Sequence, residues 1–171
     1  MNPPTTYAEW IRLLDALKAG TDDDAVLPAL MAGRLHWQSG VAERFTRVLG
    51  EVLDARLQRL GDKLQRDLDR ARGNEAGVVR ALADARKGFG LLLRVSELPA
   101  LPAEVRAALG DAVRRALEQT QSSLEGSARA DRSGRLSSIL RRYPLTVQPD
   151  QETPPPSTPV PPGRRLLIGR E

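Results

Sequence analysis

The feature that most constrains this chain is a stripe of apolar residues recurring at steps of three and four: Val41, Phe45, Val48, Leu49, Val52, Leu53, Leu57, Leu60, Leu64 and Leu68. Most positions between them are Arg, Asp, Glu or Gln. At 3.6 residues per turn that spacing gathers the apolar side chains on one helix face. It predicts a helix over 41–72, capped by Ser39 or Gly40, of roughly 48 Å at 1.5 Å per residue. A leucine stripe left in water would be an exposed patch, so such a rod requires neighbours along its whole length.

The neighbours follow in order. Gly73-Asn74 reads as a C-cap and turn, and 75–96 carries Val78, Val79, Leu82, Ala85, Phe89, Leu92 and Val95 at helical spacing. Leu98-Pro99-Ala100-Leu101-Pro102 breaks the chain, and Pro102 suits the first turn of a helix showing Val105, Leu109, Val113, Ala116, Leu117, Thr120 and Leu124. That helix either continues or is interrupted at 130–134, and the pattern resumes through Leu136, Ile139, Leu140 and Tyr143. Upstream, Thr6-Tyr7-Ala8-Glu9 has capping-box spacing, and Tyr7, Trp10, Leu13, Leu14 and Leu17 share a face until Gly20. Asp22, Asp23 and Asp24 suit the positive end of a second short helix, with Pro28 near its first turn and an end near Gly33. No segment alternates with the period of two that strands require. The expected fold is all-α: an antiparallel bundle of three long helices, with two short N-terminal helices and a short basic C-terminal helix. Gly50, Gly61, Gly88, Gly90 and Gly110 fall inside helical patterns, each weakening them by about 1 kcal/mol relative to alanine. They are expected to mark close helix contacts.

After Tyr143 the composition changes: eight of the 13 prolines lie between Pro144 and Pro162. Such chain buries little apolar surface and reads as a disordered, Pro-rich flexible linker, about 3 Å per residue when extended. The expected organisation is a helical domain over 5–143, a linker over 144–163 and a basic, apolar C-terminal peptide over 164–171.

Composition removes several function classes. Of 171 residues none is Cys and one, His36, is His. Disulfides, thiolate metal sites and thiol nucleophiles are thereby absent, and a histidine-supported triad would need a partner chain. No cofactor and no metal site are expected, and the chain is read as not an enzyme. The longest apolar run is Leu91 to Leu93, far below the ~20 residues of a membrane span, and no secretory signal opens the sequence, so a cytoplasmic location is expected. The 23 Arg against 3 Lys read as a GC-rich, bacterial coding sequence.

The net charge of +4 is local. Residues 1–128 hold 18 basic and 18 acidic side chains, and the excess lies in 129–143, where Arg129, Arg132, Arg135, Arg141 and Arg142 face only Asp131. This basic patch could pack as a last bundle helix with its arginines in water, or bind a protein partner, a nucleic acid or an anionic membrane surface. It carries one aromatic, Tyr143, for base stacking, which favours protein over nucleic acid. Other constellations have plain structural readings: the Asp22–Asp24 triplet as a cap, His36 beside Trp37 as a link residue, and Lys87-Gly88-Phe89-Gly90 as helix rather than phosphate loop. Glu118 and Glu125, seven apart, could share an inward face and are the one carboxylate pair worth placing.

The 164–171 peptide weighs differently. Leu166, Leu167 and Ile168 beside Arg164 and Arg165 have no local use on a linker, whereas a docking peptide needs apolar anchors on a leash. The leading expectation is therefore an adaptor or scaffold that binds a protein partner through Arg164, Arg165, Leu166, Leu167 and Ile168; the alternative is a nucleic-acid-associated regulator using the arginines. Leu166, Ile168 and Gly169 after a Pro-rich linker also resemble the C-terminal targeting peptides of encapsulin cargo proteins. That resemblance implies a cargo role in a protein shell, with Arg170-Glu171 standing where a second apolar anchor is expected. The long leucine stripe leaves a coiled-coil seam to a second copy open, hence a homo-oligomer.

Overall fold

A computed structural model describes residues 2–35, 40–71, 73–131 and 133–146. The expectations placed on His36, Trp37, Ser39, Arg132 and the 147–171 stretch, including the 164–168 peptide, lie outside the described residues. Among the described residues the chain is all-α, with six helices and no strand: α1 (Tyr7–Ala19), α2 (Asp23–Ala32), α3 (Val41–Arg70), α4 (Glu75–Ser96), α5 (Ala103–Ala130) and α6 (Arg135–Arg142).

α1 begins at the capping box its sequence predicts. The Glu9 amide donates to Thr6 Oγ1 at 3.3 Å, while Glu9 Oε2 accepts from the amides of Thr6 at 3.0 Å and Thr5 at 2.8 Å. Gly20 closes the helix at φ +75°, and the Arg59 guanidinium donates to the carbonyl of Lys18. In α2 the expectation needs correcting: the helix starts at Asp23, so Pro28 lies in its interior rather than its first turn. The cost is one missing backbone donor, since proline has no N–H to offer the preceding turn.

α3 and α4 run antiparallel. Leu60 faces Gly88, Lys63 Nζ bonds Asp84 Oδ2 at 3.2 Å, and Ala71 lies against Gly77. A Cβ at Gly88 would come within 2.6 Å of the Leu60 side chain, and one at Gly110 within 3.4 Å of Ser96 Oγ, so these two glycines do mark close approaches between helices. Gly50, Gly61 and Gly90 do not, because a Cβ on any of them meets nothing within 4 Å.

The leucine stripe is consumed by these contacts. Leu49, Val52, Leu53 and Leu64 are buried, and Leu57, Leu60 and Leu68 pack half-buried against α1, α4 and α5 neighbours. Among the described residues the exposed large hydrophobic side chains are Tyr7 and Met31. The core falls into two clusters. One surrounds Trp10 and Phe45, whose rings meet edge to face at 5.3 Å; the other surrounds Leu82, Leu124 and Leu140, and Leu117 touches both.

The third long helix is interrupted. α5 ends at Ala130, Gly134 turns at φ +65°, and α6 then lays Ile139 and Leu140 into the second cluster. Packing continues past Tyr143, because Leu145 is buried and its amide donates to Gln121 Oε1 at 3.0 Å. No helix among the described residues is long and apolar enough to cross a membrane.

Candidate functional site: a cleft where helix ends meet

At the far end of the α3–α4 pair, four helix ends leave a cleft of about 780 Å³. Its floor is apolar: Leu68 from the last turns of α3, Val78 from the first of α4, Leu124 from α5, and Leu136 and Ile139 from α6. These residues arrive there because each helix carries its apolar stripe to its end, while the turns between helices are polar and cannot cover it. Leu68, Val78 and Leu136 remain half-buried.

The rim comes from those turns. Gly73 adopts φ +82°, a left-handed conformation that side chains resist, and Asn74 caps α4 by accepting from the Gly77 amide at 3.2 Å. Asp131 does the equivalent work for α6. Its carboxylate accepts from the Ser133 hydroxyl at 2.8 Å, the Ser133 amide at 3.0 Å and the Leu136 amide at 3.3 Å. Those bonds, the Ser133 hydroxyl foremost, hold its pKa below the ordinary carboxylate value. Gly134, the formal N-cap, has no side chain to do this. Asp69, Glu75 and Arg135 also line the cleft, and the Asp69 carboxylate accepts from Gln65 Nε2 at 3.4 Å.

The basic patch is divided by the structure. Arg135 borders the cleft, whereas Arg129 and Arg141 line a second hollow of about 480 Å³ on the opposite side of α6, beside Glu125. Arg129 Nη2 lies 3.9 Å from Glu125 Oε2, so part of that charge is already answered. Arg142 is exposed, and Arg132 lies outside the described residues. Tyr143 is half-buried beneath the Arg86 guanidinium, 5.9 Å from the ring centroid, and is not free to stack on a base.

The remaining sequence constellations take structural positions. Asp23 pairs with Arg56 and Asp24 with Lys87, and among the described residues no group of three His, Asp or Glu side chains is placed to hold a metal ion. Lys87 to Gly90 lie within α4, with Phe89 in the core. Glu118 and Glu125 both face solvent, which removes the one carboxylate pair that could have shared an interior.

The cleft was not legible as a motif, since its lining is drawn from positions 65 to 139. One signal pointed to it: Leu68, Val78 and Leu136 are apolar residues set close to the turns at 71–74 and 131–134, where a helix end has no neighbour to cover them. Comparison with family models, curated protein sequences and solved structures gave no match to this chain.

Proposed function

We propose that this chain is a non-enzymatic adaptor: an antiparallel bundle of α3, α4 and α5 that engages a protein partner through residues 164–168, with the exposed arginines of 129–142 as a second contact. The observation that supports it is how fully the helical domain uses its own apolar residues. Tyr7 and Met31 are the exposed large hydrophobic side chains among the described residues, so apart from the cleft the helices present little apolar surface to a partner, and the two core clusters close without Leu166, Leu167 and Ile168. A peptide with apolar anchors and flanking cations is then the most adhesive part of the molecule.

The test is quantitative affinity capture with the full chain against a full-length variant carrying Leu166→Asp, Leu167→Asp and Ile168→Asp. Partners that depend on the peptide fall at least tenfold in the variant; an unchanged set of partners overturns the proposal. Recovery of a shell-forming protein among them would narrow the adaptor to a cargo. The nucleic-acid reading rests on the solvent-facing positions of Arg135, Arg141 and Arg142. It requires binding that weakens steeply with salt and disappears in an R135A/R141A/R142A variant; no mobility shift at low salt removes it.

A further inference from the structure

We infer that the 164–168 peptide, when no partner holds it, docks in the cleft of its own chain. The inference rests on the reading of that peptide as a docking element and supplies its resting site. Three observations converge. The cleft complements the peptide: a floor of Leu68, Val78 and Leu136 left half-buried for Leu166, Leu167 and Ile168, and, on a rim that also carries Arg135, the carboxylates of Glu75 and of Asp69, the latter accepting from Gln65 Nε2 at 3.4 Å, beside which Arg164 and Arg165 would lie. Its volume, about 780 Å³, is in the range of clefts that enclose small ligands, roughly 300–1,000 Å³, and so suits a few side chains rather than a whole helix.

The third observation is reach. The described chain ends at Thr146, which borders the second hollow near the C-terminal end of α6, while the cleft opens at the N-terminal end of the same helix. The eight residues of α6 span about 12 Å. The seventeen residues 147–163 provide up to about 58 Å of contour, which is ample for the return. Short tethers give effective concentrations on the order of millimolar, so the peptide of the same chain outcompetes that of a second copy at micromolar protein. A partner must then displace the peptide from the cleft, and the cleft sets how tightly the adaptor is held closed.

The experiment uses the full chain with the photo-crosslinking residue benzoylphenylalanine in place of Gly169, next to the anchors but leaving them intact. An equal mixture of ¹⁴N- and ¹⁵N-labelled chains is irradiated, and the crosslinks are mapped by mass spectrometry. Crosslinks should fall on the segments around Leu68, Val78 and Leu136, within chains of one label, and drop several-fold in an Asp69→Lys, Glu75→Lys variant. Crosslinks in mixed-label pairs, or concentrated away from the cleft, overturn the inference. The two readings fail separately. Crosslinks that miss the cleft, with partner capture still dependent on 166–168, sink this inference alone; crosslinks in the cleft, with capture indifferent to 166–168, sink only the adaptor.

Discussion

At the scale of single residues, glycines divide by what lies above their Cα. Gly33 has an ordinary φ of −67°, so its backbone would accept a side chain, but a Cβ there would sit 2.6 Å from Trp10 Cζ2 and 2.7 Å from Pro4 Cγ. Both neighbours are buried and stiff, and Trp10 is further fixed by its indole donating to the Arg34 carbonyl at 3.2 Å. Overpacking of this kind costs about 1–3 kcal/mol. Gly50 is the opposite case: mid-helix in α3 with nothing within 4 Å, it only adds backbone entropy to the unfolded chain. Gly33→Ala should therefore lower the denaturation midpoint, while Gly50→Ala should raise stability by about 0.5–1 kcal/mol. Urea titration of both reads the signs; a destabilised Gly50→Ala would mean that α3 has a neighbour at that face. Sequence spacing could not separate these glycines, since Gly50 and Gly88 look alike within a helical pattern and differ only in whether Leu60 stands opposite.

At the scale of elements, helix starts were legible where the cap was local and less so where it was not. The α1 capping box is readable from Thr6 and Glu9 alone, and it has a pH signature. Three N–H and O–H groups of Thr5 and Thr6 donate to the Glu9 carboxylate, the Thr5 amide foremost, and lower its pKa from 4.5 to about 2. Because the folded value is depressed, the charged cap contributes stability that is complete above about pH 4.5 and is lost as the pH falls through 2. The stability difference between the native chain and Glu9→Gln should be constant near neutral pH and shrink between pH 4.5 and 2, as followed by urea titration at each pH. A difference that stays flat across that window would show that the carboxylate is not held this way. The other depressed carboxylates, Asp67, Asp111 and Asp131, are common to both chains and cancel. The α6 start was expected just after the break at 130–134, but its cap was not: Asp131 reaches five residues forward to the Leu136 amide, a span no short capping motif contains. α2 begins at Asp23, directly after Asp22 takes a left-handed φ of +58°, so Asp23 and Asp24 belong to its first turn rather than to a lead-in, and Pro28 falls inside the helix.

At the scale of the whole molecule, the helical fold was readable because its information is periodic and local, while the cleft was not, because it exists only where the ends of α3, α4, α5 and α6 converge. The same long helices decide how the molecule unfolds. The cluster around Trp10, Phe45 and Leu49 and the cluster around Leu82, Leu124 and Leu140 would make two independent units if each had its own helices. They do not: α3, at 30 residues and about 45 Å, contributes Leu49 to one and Leu64 to the other, α4 contributes Leu92 and Leu82, and α5 contributes Val113 and Leu124. Losing either cluster removes the partners of half of each long helix, and the remaining half would have to end in water without a cap. Unfolding should therefore be a single transition. Leu49→Ala and Leu82→Ala, each deleting a fully buried side chain, should each cost about 2–5 kcal/mol. In a Trp37→Phe background, Trp10 fluorescence reports the first cluster and far-ultraviolet circular dichroism reports all six helices. Leu82→Ala should move both midpoints together, although Leu82 lies in the other cluster from Trp10. A Leu82→Ala chain that loses helicity early while Trp10 keeps its native midpoint would show that the continuity of α3, α4 and α5 does not couple the two clusters.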